Sequence, residues 1–208
     1  MAAGNHLTHL VRHGEVLNPD HLVYADLDGF GLSDLGRCQA AAAADRLPAQ
    51  AVIVSSPLQR AMETAAIIAD VAGSPVLVDA RLTEWRLGRR WAGHAWEELD
   101  AAFPGERVAY LEHPERLAFT EESLAEIADR MAEAIRLHRS TTAGALVVVS
   151  HQDPIQAARL ALTGRPLVDL HLDKPGHAAI VTLHDTGRTD WTELEMWAPP
   201  IGEPFPPI

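Results

Sequence analysis

The sequence is short of several things, and each shortage excludes something. A single cysteine, Cys38, has no partner for an internal disulfide, so a reducing compartment is expected. Positive charge is scarce: 17 Lys and Arg stand against 29 Asp and Glu, a formal net charge of −12. So acidic a surface repels nucleic acid and anionic membrane alike, although a small anionic substrate remains compatible where a few cations gather. Long apolar runs are missing: Ala40 to Ala44 and Ala145 to Val149 fall far short of the roughly 20 residues of a membrane span. The stretch Met1 to His6 has no basic region followed by an apolar one, so no signal peptide is expected. Neither a His-Glu-x-x-His pattern nor paired cysteines point to a metal site. The expectation is a cytoplasmic protein with no cofactor and no metal.

What is present is an ordinary globular composition, 47% hydrophobic and 22% charged in 208 residues. A chain of this length buries roughly 70% of its unfolded surface and holds a core without staples. Along it, short apolar runs alternate with helical patterns. Leu7–Val11 reads as a first strand. Ser33 caps a helix from Asp34 towards Arg46, a better account of Ser33 than a serine-hydrolase elbow, whose final Gly is missing. Within that helix Cys38 reads as a small packed residue. Ala51–Val54 is a buried strand, and Ser56 with Pro57 reads as the start of a helix ending at Gly73. Val76–Val78 is a third strand. From Thr120 a longer helix shows Leu124, Ile127, Met131 and Ile135 on one face. Ala145–Val149, apolar on both faces, reads as a central parallel strand; Asp153 and Pro154 then open another helix. Ala178–Leu183 and Thr192–Trp197 are late strands.

Residues 84–119 break the rhythm, with a short helical stretch near Trp96 to Ala102, and read as a lid-like helical and loop insertion over the C-terminal edge of the sheet. Trp85, Trp91 and Trp96 within it either roof a pocket or pack the lid on the core. Residues 199–208 form a Pro-rich tail. The predicted fold is a single α/β domain over 1–208, a three-layer α/β/α sandwich with a mostly parallel central sheet.

In such sheets ligands bind beyond the carboxyl ends of the strands. Arg12 and His13 follow the first strand, Arg60 the second, Glu84 the third, and Ser150 and His151 the strongest. That set suits phosphoryl transfer through a histidine. Arg12 and Arg60 match phosphate oxygens with planar forks. A neutral His13, kept unprotonated by those cations, can attack phosphorus. His151 can donate to the equatorial oxygens, while Glu84 protonates the leaving oxygen and later activates water. Glu97 and Glu98 compete with Glu84 for this role. The other nine histidines, His6 and His9 included, read as surface or loop residues.

Leu10-Val11-Arg12-His13-Gly14-Glu15 resembles the signature of the histidine phosphatase superfamily, the phosphoglycerate-mutase-like group. Matching blocks follow in order: Leu32 to Gly36, Ser55 to Ala65, Leu82-Thr83-Glu84 with Gly88 to Gly93, and Val148 to His151. The resemblance implies a phosphorylated nucleophile at His13, a proton donor at Glu84, phosphate binding by Arg12, Arg60 and His151, and no metal. Two departures from the mutase pattern, Val16-Leu17-Asn18-Pro19 and Gln152-Asp153, together with a short chain, favour a phosphatase. Asn18 and Gln152 are carried as substrate contacts.

The function expected is metal-independent hydrolysis of a small phosphorylated metabolite. A phosphoglycerate mutase and a catalytically idle phospho-ligand or protein-interaction module are the rivals. Arg86, Arg89, Arg90 and His94 suggest affinity for a second anionic group. Neither nucleic acid nor membrane is an expected partner, and the tail could brace a homodimer. The natural substrate is not legible.

Overall fold

A computed structural model describes residues 7–187 and 191–200. His6 and all of the Pro-rich tail beyond Pro200 lie outside the described residues. Six strands form one sheet: β1 (Leu7–Arg12), β2 (Val52–Ser55), β3 (Val76–Val78), β4 (Leu146–Ser150), β5 (Ile180–His184) and β6 (Thr192–Trp197), in the spatial order β3-β2-β4-β1-β5-β6. The β1–β4, β2–β4 and β2–β3 pairs are parallel, whereas β5 runs antiparallel to both β1 and β6. β4 is buried along its whole length between β1 and β2. Its register sets Arg12 opposite Ser150 and Ser55 opposite Val149. The loops after three strands therefore open at one level, and the chemistry collects there.

Alternation along the strands feeds two cores. Val11, Ile53, Val147 and Val149 face α1 (Asp34–Ala44) and α2 (Gln59–Ala72), whose contact residues are mostly alanine. Leu10, Val54, Leu146 and Val148 belong to the other core, with α6 (Leu124–Thr141) and α7 (Gln152–Leu162). Residues 84–119 contain three short helices, α3 (Leu87–Trp91), α4 (Leu99–Ala102) and α5 (Glu106–Glu112). They bury Trp85, Leu87, Trp91, Leu99 and Tyr110 in that second core. Each large apolar side chain so buried contributes roughly 1.5–3 kcal/mol. The sequence pattern anticipated a helical stretch near Trp96 to Ala102, where α4 lies, but not α3 or α5.

Local chemistry corrects several expected helix starts. Ser33 does cap α1, accepting from the Gly36 N–H at 2.9 Å. Ser56 does not cap α2: Leu58 occupies that position, and the Ser56 hydroxyl pairs with Nε2 of His151 at 2.8 Å. α6 begins at Leu124, not Thr120, because Ser123 and Glu126 form a reciprocal capping box. Asp153 lies inside the first turn of α7 with its carboxylate turned to Tyr110 and Lys174, so His151 stands at the cap without a side-chain bond. Cys38 is exposed, not packed.

Two glycines hold the loop after β1 against the start of α1. A Cβ on Gly14 would lie 2.4 Å from the Gly36 carbonyl oxygen, and one on Gly36 2.0 Å from that of Glu15. Only bare backbone allows that crossing. Gln39 accepts from the Glu15 N–H at 2.9 Å and Thr64 from the Gly14 N–H at 3.1 Å, fixing the loop that carries His13.

Candidate active site

His13 leaves the end of β1 with its backbone still tied to the sheet: its N–H donates to Ser150 and its carbonyl accepts from Ala178. The ring Nδ1–H donates to the Gly14 carbonyl at 2.7 Å. That bond assigns the tautomer and leaves Nε2 with a lone pair, which accepts from the Arg60 Nε–H at 3.2 Å. Arg60 is fully buried in the first turn of α2, donates to the Ala25 carbonyl at 2.8 Å and lies over the Tyr24 ring. Arg12 donates to the Pro175 carbonyl at 3.1 Å and pairs with Nε2 of His177 at 2.9 Å. Burial first, and then the nearby Arg60, His151, Arg12 and His177, hold the His13 pKa well below that of a free histidine.

His151 reaches the same point from β4, its ring centroid 5.2 Å from that of His13. Nε2 is occupied by Ser56, while buried Nδ1 has no hydrogen-bond partner and stands 3.8 Å from a Glu84 oxygen. Burial, reinforced by Arg60, Arg130 and Arg12, lowers the pKa of His151 strongly as well. Glu84 sits beyond the 3-10 turn at Ala80–Leu82, its carboxylate 3.9 Å from Arg60. Burial raises its pKa despite the opposing pull of Arg60, and Asp153 adds to the rise. The site thus pairs an unprotonated imidazole with a carboxyl group inclined to keep its proton.

Glu84 is placed from behind. Arg130 on α6 donates to the carbonyls of Arg81 at 2.6 Å, Thr83 at 2.9 Å and Glu84 at 3.3 Å, and is itself paired with Glu122 at 2.6 Å. A five-donor guanidinium can hold a bent segment in this way, and an ammonium cannot.

Above these groups opens a cavity of about 120 Å³, lined by Arg12, His13, Glu84 and Gln152 on the chemical side and by Trp85, Trp91 and Trp96 on the lid side. The tryptophans therefore do both of the things expected of them: Trp85 and Trp91 are buried in the core and also line the cavity. Part of the wall is a polar triad. The Tyr110 hydroxyl donates to Asp153 at 2.8 Å, and Lys174 contacts Asp153 at 2.5 Å and the Tyr110 oxygen at 2.9 Å. Burial alone would raise Asp153, but Lys174 and Tyr110 outweigh it and lower its pKa. Among the described residues no group of three or more His, Cys, Asp or Glu is arranged to hold a metal ion.

Arg12, His13, Arg60, Glu84 and His151 converge as the strand-end argument expected. Gln152 lines the cavity and donates to the Pro175 carbonyl at 3.1 Å. Asn18 spends its side chain on Leu22, donating to its carbonyl and accepting from its N–H, and is not among the cavity-lining residues. Glu97 pairs with His21 on an exposed surface, so Glu84 alone of the three candidate acids faces the cavity. Arg89 pairs with Asp26 and Arg90 with Glu106, both on exposed surface and neither lining the cavity. None of Arg86, Arg89, Arg90 and His94, the residues expected to attract a second anion, is among the cavity-lining residues.

The reading of the other nine histidines as surface or loop residues needs correction at His9, which lies buried in β1 against Thr182. His177 does lie on a loop, but it pairs with Arg12, its ring 5.8 Å from that of His13. Nothing local marked His177, because it arrives on the loop before β5 from far along the chain. Lys174 is marked in the sequence by its rarity alone: it is the chain's one lysine.

Residues 8–197 match the sequence profile of the histidine phosphatase superfamily, branch 1. A glucosyl-3-phosphoglycerate phosphatase of Mycolicibacterium vanbaalenii is 37% identical over 193 residues, covering 87% of this chain and 85% of that protein. Phosphoserine phosphatase 1 of Hydrogenobacter thermophilus is 35% identical over 163 residues, covering 74% of this chain and 75% of its own. Among solved structures, a mycobacterial glucosyl-3-phosphoglycerate phosphatase complexed with VO3 superimposes with a TM-score of 0.81 at 31% identity, covering 92% of this chain and 98% of the other.

Proposed function

This chain belongs to the histidine phosphatase superfamily, branch 1, and from that premise we propose that it hydrolyses small phosphomonoesters through a phosphoryl group carried on Nε2 of His13. The observation that carries the reading is the state of that nitrogen. It is stripped of its proton by the Nδ1–Gly14 bond and surrounded by two arginines and two further histidines.

In the first step the Nε2 lone pair attacks phosphorus and the bond to the alcohol oxygen breaks. Glu84 gives its proton to that oxygen, leaving phosphohistidine, free alcohol and a Glu84 carboxylate. Arg12, Arg60 and the Nδ1–H of His151 stabilise the equatorial oxygens. A Ser56 hydroxyl that donates to Nε2 of His151 keeps the proton on Nδ1, the nitrogen 3.8 Å from Glu84. In the second step Glu84 takes a proton from water and the water oxygen attacks phosphorus. The P–N bond breaks with its electron pair returning to Nε2, and inorganic phosphate leaves. Gln152 borders the substrate from the cavity wall.

The positive charge this reaction needs is supplied by side chains, so release of phosphate from a broad ester panel is expected with EDTA present as well as absent. Activity restored only by added metal would count against the reading.

A further inference from the structure

We propose that the alcohol part of the substrate is uncharged and built around a ring, with no second acidic group; this rests on the phosphatase reading above. The phosphate end of the cavity is cationic and the rest is not. Among the described lining residues Arg12 is the only Arg or Lys, and it stands at the phosphate end beside His13 and His177. Away from that end, Tyr24, Trp85, Trp91, Trp96 and Tyr110 supply aromatic surface, and the carboxyl group among the described lining residues is that of Asp153. Arg86 is not among the lining residues, and three other cations are paired elsewhere. Arg89 and Arg90 pair with Asp26 and Glu106 on the outside of the lid, and Lys174 lies against Asp153 and Tyr110, where it compensates a carboxylate already present.

A carboxylate on the alcohol would thus lose water without gaining a cation. Desolvating a charge without a partner is among the costliest things a cavity can do. A ring gains instead. Aromatic walls bury its faces, while the Asp153 carboxylate and the Gln152 and Tyr110 polar groups can serve ring hydroxyls.

Two matched ester pairs isolate the charge. Phosphate release is measured for phenyl phosphate against 4-carboxyphenyl phosphate, and for glucose 1-phosphate against glucuronic acid 1-phosphate, with the wild-type protein at fixed ionic strength. The expected result is a fall in kcat/KM of about tenfold or more on adding the carboxylate in both pairs, carried mainly by KM. The ratio between the two uncharged esters then says whether an aryl or a sugar alcohol is the better fit. Carboxylated esters turned over as well as their partners, or better, would overturn the proposal and leave the phosphatase reading standing. Release from none of the four, with His13 unlabelled, would remove the phosphatase reading itself and this proposal with it.

Discussion

Arg60 donates its Nε–H to Nε2 of His13 at 3.2 Å, and the same guanidinium lies 3.9 Å from Glu84. One buried cation therefore touches the proposed nucleophile and stands beside the proposed acid. It lowers the imidazole pKa and opposes the rise that burial imposes on the carboxyl group. Arg60→Met should cost about 10²–10³ in kcat, the usual loss for one donor aimed at developing charge. Arg60→Lys should not rescue it, because an ammonium cannot serve His13 and the Ala25 carbonyl together. Steady-state kinetics on a single ester, with a thermal melt to show that both variants fold, check this.

The pH profile should be set by the displaced groups. His13 must be unprotonated to attack, and its pKa is depressed, so activity should persist as pH falls past the ordinary histidine range and fail only at the lower value. Glu84 must be protonated to release a poor leaving group, and its pKa is raised, so activity should decline as pH climbs through that raised value. Glu84→Gln should abolish the alkaline limb. For an alkyl ester the loss should be about 10²–10⁴. With 4-nitrophenyl phosphate, whose alcohol leaves unaided, the first step should survive and appear as a burst followed by slow turnover. An unaltered profile in Glu84→Gln would reassign the acid.

Arg130 should behave as a positioning residue for Glu84. Arg130→Lys keeps the charge beside Glu122 but cannot span the carbonyls of Arg81, Thr83 and Glu84. The expected outcome is a fall in kcat of about tenfold with little change in KM, together with a shifted alkaline limb. A lowered melting temperature with kcat and pH profile intact would make Arg130 merely structural.

Lys174→Met leaves the buried Asp153 carboxylate uncompensated, which should cost about 3–5 kcal/mol at neutral pH. The Asp153 pKa is lowered in the folded state, so its contribution is present above the unfolded value and is lost as pH falls through the folded one. The stability gap between wild type and Lys174→Met should accordingly narrow in acid. Urea unfolding at about pH 7 and about pH 3 would measure it. The double variant Asp153→Asn, Lys174→Met should recover part of the loss.

The sheet and the convergence of the candidate site residues were legible in the sequence because both rest on local pattern. β4 shows itself as Leu146–Val149 with no polar interruption, and parallel strands place whatever follows them on one edge. Arg12, His13, Arg60, Glu84 and His151 needed only that rule. What escaped was set by distant partners. Ser56 looks like a helix cap until His151, 95 residues away, claims its hydroxyl. Asp153 likewise reads as a cap until Tyr110 and Lys174 take its carboxylate. Arg89 and Arg90 look like an anion trap, and only the fold brings Asp26 and Glu106 against them. No periodicity carries that information.

The most direct test is to look for phosphate on residue 13. Protein quenched during turnover should carry one acid-labile phosphoryl group, mapped by mass spectrometry to the His13 ring, and His13→Ala should show neither the label nor phosphate release. Turnover with an unlabelled His13, or a His13→Ala variant that still hydrolyses esters at the wild-type rate, would contradict the account.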